Sequence, residues 1–159
     1  MEIEPDMKPL EHGQLHVIRA HAVLQALALA ALATAGETML ALRTDFPFGT
    51  VAAPVLLIIL YLVILSPGRR FRAWGYRMDQ EDLHLRHGVW TRTEILVPLD
   101  RVQHIDLSQG PIEKAFGVNR LIVHTAGTQF SRVALPGLSR RDAERMRDEI
   151  RARIGREEG

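Results

Sequence analysis

The run FPFGTVAAPVLLIILYLVIL, from Phe46 to Leu65, carries no charged side chain over twenty positions. At 1.5 Å per helical residue it covers about 30 Å, the hydrocarbon thickness of a bilayer. Inside lipid the backbone must satisfy its own hydrogen bonds, so a single apolar run of this length is read as a spanning helix. Pro47 and Gly49 fall near its start, where a first turn tolerates proline. Pro54 then needs a neighbouring helix to cover the carbonyl that it frees. A buried helix of a soluble core is the competing reading of the same composition.

A second segment, His21 to Leu42, is rich in alanine and leucine but includes Gln25 and Glu37. Only three residues separate Leu42 from Phe46, so two spans here form a hairpin. Ala22, Ala26, Ala30 and Thr34 recur every four residues, a small-residue ridge that lets a second helix approach closely. Glu37 is the intramembrane polar candidate, since an ionisable group inside a span is by default a functional one. Pairing with Arg43, or reaching the far interface, is its plain structural explanation. Ala33-Thr34-Ala35 has the small-x-small shape of a signal cleavage site, but Glu2, Glu4, Asp6 and Glu11 give the preceding segment the wrong charge.

Basic residues flanking spans stay on the cytoplasmic side. Arg69, Arg70, Arg72 and Arg77 follow the second span, Lys8 and Arg19 precede the first, and the intervening loop offers only Arg43. Both termini are therefore expected in the cytoplasm, with the protein multi-pass in a bacterial inner membrane. Arg69, Arg70, Arg72 and Trp74 are the expected contacts with the bilayer surface, each basic residue contributing on the order of 1 kcal/mol near anionic lipid.

The whole-chain net charge of +1 conceals two unlike halves. Residues 1–65 hold three basic and six acidic side chains, whereas residues 66–159 hold seventeen and thirteen. Cysteine is absent, which removes disulfides, thiolate metal sites and cysteine nucleophiles together.

Beyond the spans the hydrophobic period shifts toward two. DLHLRHG alternates as a half-buried strand, Gly88 supplies a turn, and Val89 to Val97 reads as its partner, closed by Pro98. Arg101 to Gln109 is a further strand, broken by Gln109-Gly110-Pro111. IEKAFG makes a short helix ending at Gly117. Arg120 to Thr125, apolar on both faces, reads as a central strand, and Phe130 to Pro136 completes the sheet. Last comes an amphipathic helix, N-capped by Ser139 with Asp142 in a capping-box position. Its apolar stripe is Ala143, Met146, Ile150 and Ile154, and its charges suggest i,i+4 pairs such as Glu149 with Arg153. Those charges nearly balance, so no stripe for nucleic acid remains.

No phosphate-loop, dinucleotide, zinc-protease or serine-hydrolase motif is present. His104, Asp106 and Ser108 share a strand face, but successive members stand about 6.5–7 Å apart and read as exposed polar positions. His12, His16 and His21 lack the spacing for a third metal ligand, and His84 and His87 read as exposed residues flanking a turn. No enzymatic activity, cofactor or metal is expected. Trp74 and Tyr76 suit the headgroup level, with core packing as the alternative for Tyr76 and Trp90.

The stretch GYRMDQEDLHLRHGVWTRTEILVPLDRVQHIDLSQGPIEKAFGVNRLIVHTAG, followed by VALPGL and a closing helix, resembles the bacterial membrane-flanked domain family, the YdbS-like bacterial pleckstrin-homology-like (PH-like) domains. The positions that carry the resemblance are Tyr76, Gly88, Pro98, Arg101, Gln109, Gly110, Pro111, Phe116, Gly117, Thr125, Ala126, Gly127, Leu135 and Pro136. It implies an α+β chain: a two-helix transmembrane hairpin, then an antiparallel PH-like barrel or roll of about seven strands capped by the C-terminal helix. The expected layout is a cytoplasmic tail over 1–20, the hairpin over 21–65, a basic juxtamembrane linker over 66–73, the PH-like domain over 74–155 and a short tail over 156–159. The resemblance further implies a larger membrane partner carrying related domains. The expected role is an interaction or scaffold module in envelope homeostasis or stress resistance, with anionic headgroup binding as the alternative and a membrane enzyme or transporter as the least supported. The bilayer and self-association through the alanine ridge complete the expected partners.

Overall fold

The computed structural model describes residues 7–43, 47, 49–126 and 132–157, with side chains through Arg153. The chain divides into two compact units, one running from Ile18 to Arg69 and the other combining residues up to Val17 with those from Arg70 onward.

The first unit is built on two helices, His12–Ala41 and Ala52–Arg72, both long and apolar enough to cross a membrane. The earlier helix starts nine residues before the expected His21, because nothing after Pro9 interrupts it. Phe46, the expected start of the later span, lies outside the described residues. Since that helix begins at Ala52, Pro54 sits in the first turn, where its missing N–H has no partner to lose. The helix also continues past Leu65 through the basic stretch to Arg72. Tyr61–Leu65 is π-helical. Pro67 lies just beyond and cannot bond the carbonyl of Val63, so the wider turn falls where the α-helical ladder is broken.

Along the first helix Ala22, Ala26, Ala33 and Glu37 are buried, while Ala30 is half-buried and Thr34 exposed. At about 100° per residue a four-residue repeat drifts by roughly 40° a step, so Thr34 has rotated off the face that Ala22 defines. Ala33, eleven positions from Ala22, returns to within about 20° of it and takes the place expected for Thr34. The large apolar side chains Leu24, Leu27, Leu32, Leu56, Leu57, Leu60 and Ile64 are exposed. A helix in a soluble core buries such a stripe; these present theirs outward. Glu37 does not pair with Arg43. Its carboxylate accepts a hydrogen bond from the Gly49 N–H, three residues ahead of the later helix, where anions are favoured.

The second unit holds six strands among the described residues. Gly75–Met78 (β1), Asp82–His87 (β2) and Thr93–Pro98 (β3) form one antiparallel sheet in that order. Val102–Ser108 (β4), Asn119–Thr125 (β5) and Arg132–Leu138 (β6) form the other. β5 is central, as its two apolar faces require. Three expectations shift. β1 is an added strand, too short for its alternation to stand out, and six strands, against the expected seven or so, lie among the described residues. β3 begins at Thr93 instead of Val89, because residues 88–92 are spent on the turn.

Registers such as Leu83↔Val97 and Leu121↔Leu135 put alternate side chains inward. Leu83, Leu85, Leu121, Val123, Leu135 and Leu138 meet Ala143, Met146 and Ile150 of the closing helix in one core, with Tyr76 among them. That helix, Arg140–Glu157, is capped as expected: the Asp142 N–H donates to Ser139 Oγ at 3.0 Å, and the Ser139 hydroxyl donates to the Asp142 carboxylate at 2.7 Å. The side chain of Ile154 lies outside the described residues. Arg153 turns away from Glu149 and donates to the carbonyls of Asp79 and Gln80, while Glu149 lies 3.9 Å from Arg145.

Residues 8–17 fall in this unit, and Leu10 in its core. The Lys8 N–H donates to Tyr76 O at 2.8 Å and the Tyr76 N–H to Lys8 O at 3.0 Å, and the Glu11 N–H donates to Gly137 O at 2.9 Å. The segment thus bonds β1 of one sheet and β6 of the other, with Leu10 buried between those bonds. Gly137, at φ +71°, is required there: a Cβ would stand 2.7 Å from the Gln14 side chain.

Leu10→Ala should therefore lower stability by about 2–4 kcal/mol, as truncation of a core leucine does, seen as a fall in the unfolding temperature of the detergent-solubilised chain. An unaffected transition would return the segment to the status of a tail. A second expectation concerns alkali. Burial pushes the Tyr76 phenol above its ordinary 10.0; the Asp142 carboxylate adds to this and Arg145 opposes it. The raised value means that the folded state holds the neutral phenol. Its contribution is complete below the unfolded pKa and is lost as pH rises through the folded one. Tyr76→Phe should flatten the decline in unfolding temperature above about pH 10 relative to the parent chain.

Candidate membrane-proximal interface

The end of the Ala52–Arg72 helix divides its side chains by role. Arg70 and Arg72 are exposed, as is Arg69 in the other unit. Phe71 packs on the domain core and lies 6.0 Å, ring to ring, from His12. Trp74 also packs on that core and stacks on His87 with ring centroids 4.7 Å apart. Gly75 pairs with Arg86 and His87 with Thr93. The entry into β1 and the β2–β3 turn consequently share one end of the sheet. Gly88, at φ +110°, makes that turn possible, because a Cβ would fall 1.9 Å from the Thr91 carbonyl oxygen. Trp90, for which core packing was one expectation, is 84% exposed at the tip, because the turn carries it off the strand.

A second cluster surrounds the short helix Pro111–Ala115. The Gly110 N–H donates to a Glu113 oxygen at 2.7 Å, and Arg120 reaches the other Glu113 oxygen at 2.5 Å. The Gln109 amide donates to the Val118 carbonyl at 2.9 Å. Pro111 opens the helix where its missing N–H is harmless, and Gly117, at φ +67°, ends it. Phe116 stacks on His16 at 5.4 Å. Glu113 is 5% exposed and with Arg120 was missed in the sequence, although a glutamate three residues after the cap is a known first-turn signal. Pro98 ends β3 before the short turn Leu99–Arg101, and Thr125 pairs with Val102 at the β4–β5 end. Gly127 lies outside the described residues.

The third group corrects the distance argument about His104 and Asp106. Their side chains lean together: His104 Nε2 lies 2.8 Å from Asp106 Oδ1, and His124 Nε2 from the adjacent strand lies 3.2 Å from Asp106 Oδ2. Ser108 pairs in register with Arg120 and takes no part. His84 lies 3.6 Å from Asp79, so it too has an acidic neighbour. Among the described residues no set of three histidine or carboxylate side chains is arranged to hold a metal ion.

These clusters set turns and strand ends; the feature with an outward chemistry is the sheet end that gathers Arg70, Arg72, Trp74 and the Trp90 turn. Comparison with known proteins agrees with a membrane setting. The family model described as "Bacterial PH domain" matches residues 21–154. The chain is 33% identical over 102 residues to the UPF0699 transmembrane protein YdbS of Bacillus subtilis (strain 168), covering 64% of this chain and 62% of that one. It is 26% identical over 104 residues to the UPF0699 transmembrane protein YdbT of the same organism, covering 65% and 20%. The matched region thus spans less than two thirds of either relative. No solved structure matches the chain. With most of its length inside the family model, two helices suited to a membrane and relatives named as transmembrane proteins, the chain belongs to the bacterial PH domain family.

Proposed function

We propose that the chain is a membrane-anchored interaction module, holding a PH-like domain at the cytoplasmic face of the inner membrane for a larger membrane partner that carries related domains. The observation that carries this reading is the way the domain begins: β1 starts three residues after the apolar helix ends at Arg72, and the residues up to Val17, which include the start of the other helix, fall in the same unit, with Leu10 in its core. A domain so attached is confined to the membrane surface and raises the local concentration of its binding face there. The match to a second relative, of which the aligned stretch is only 20%, supports a larger partner, since one organism holds the family in chains of very different length. Envelope homeostasis or stress resistance is the setting this role suits. The arginines at positions 69, 70 and 72 support the cytoplasmic placement.

The chain has no cysteine, so single substitutions report topology cleanly. A cysteine at Arg43 should react with a membrane-impermeant maleimide on intact spheroplasts, whereas one at Arg141 should react only after lysis; the reverse pattern would invert the orientation. Copurification of the tagged full chain from native membranes in mild detergent should recover a membrane protein with bacterial PH domains in near-stoichiometric amount. Recovery of the chain by itself would count against the scaffold role.

A further inference from the structure

We propose that the β2–β3 turn, residues 88–92, is a second membrane contact that seats Trp90 in the interfacial layer of the bilayer crossed by the chain's own helices. This rests on the reading that those helices span.

The turn is built to present apolar surface. Trp90 is 84% exposed and Val89 is 38% exposed, and Arg92 follows them on the surface. A tryptophan has an apolar body and one polar N–H, which suits the boundary between headgroups and hydrocarbon better than water. A nearby arginine complements anionic headgroups. Gly88 commits the backbone to this shape, since its conformation and the closeness of the Thr91 carbonyl exclude a side chain.

Topology supplies the occupant. β1 runs away from the point where the chain leaves the apolar helix, and β2 runs back antiparallel to it, with Gly75 beside Arg86. The β2–β3 turn therefore opens at the end of the sheet where the chain arrives from the membrane segment. Trp74, two residues past Arg72, stacks on His87, the residue before Gly88, which places entry and turn side by side. From Leu65 to Arg72 the helix rises about 10 Å. That is comparable to one headgroup layer, roughly 5–8 Å, which puts the end of a spanning helix at the outer edge of the headgroups.

The test uses the full chain, reconstituted as the sole protein in phosphatidylethanolamine–phosphatidylglycerol vesicles. An environment-sensitive fluorophore is placed at Val89→Cys or Leu60→Cys, and quenching is compared between lipids spin-labelled near the headgroup and deep in the acyl chain. The expected result is that Val89→Cys is quenched most by the shallow label and Leu60→Cys by the deep one, and that adding Trp90→Ala to Val89→Cys reduces the shallow quenching at least two-fold. If Leu60→Cys is quenched by the deep label but Val89→Cys by neither, the proposal is overturned while the spanning helices stand. If the Val89→Cys probe is shielded from water yet untouched by either lipid label, the turn is covered by protein, which also overturns it. If neither position meets a lipid label, the spanning reading fails and the proposal falls with it.

Discussion

The domain depends on a short stretch of backbone that precedes the first helix. Lys8 and Tyr76 exchange hydrogen bonds, Glu11 donates to Gly137, and Leu10 fills the space between. Among the described residues each sheet has three strands, a small size whose stability depends on covering its apolar face. The closing helix covers part of that face through Ala143, Met146 and Ile150. The Lys8–Glu11 stretch bonds to an outer strand of each sheet, β1 and β6, edges that otherwise invite pairing with another chain. The two sheets share a core partly because one strip of chain is bonded to both.

The apolar helices follow a different rule. A globular domain hides leucine; here Leu24, Leu27, Leu56, Leu57 and Leu60 face outward while small residues and Glu37 are covered. Association between helices in lipid comes from close packing and from satisfied polar groups, and alanine at the covered positions with a carboxylate bonded to the Gly49 amide fits that pattern. Glu37 thereby reads as a cap on the later helix, and its presence inside the apolar segment needs no transport chemistry to explain it.

Much of this was legible in the sequence, and the exceptions have specific causes. The strands β2, β4, β5 and β6 follow from alternation and turn residues, and the closing helix from Ser139, Asp142 and its stripe. β1 escaped because four residues beside a basic stretch show too little period. The role of Leu10 was invisible, because pairing between Lys8 and Tyr76 depends on partners far apart in the chain. His104 and Asp106 were judged by backbone spacing, which says nothing of side chains leaning toward each other. Arg153 left its expected i,i+4 partner because exposed ion pairs are weak, whereas the carbonyls of Asp79 and Gln80 offered two acceptors. At the candidate interface the arginines and Trp74 were legible as a cluster, but the nearness of Trp90 required the strand register.

The bond between Glu11 and Gly137 also orders events during synthesis. The segment around Glu11 leaves the ribosome long before β6 exists, and the first apolar helix follows it at once. Closure of the domain is therefore a late step that joins a segment ahead of the first apolar helix to a strand made after both apolar helices. Until then the uncovered sheets and the waiting segment are exposed to other nascent chains, and intermediates with exposed strand edges are prone to mispair. The two apolar helices are thus complete before the fold that they flank can close.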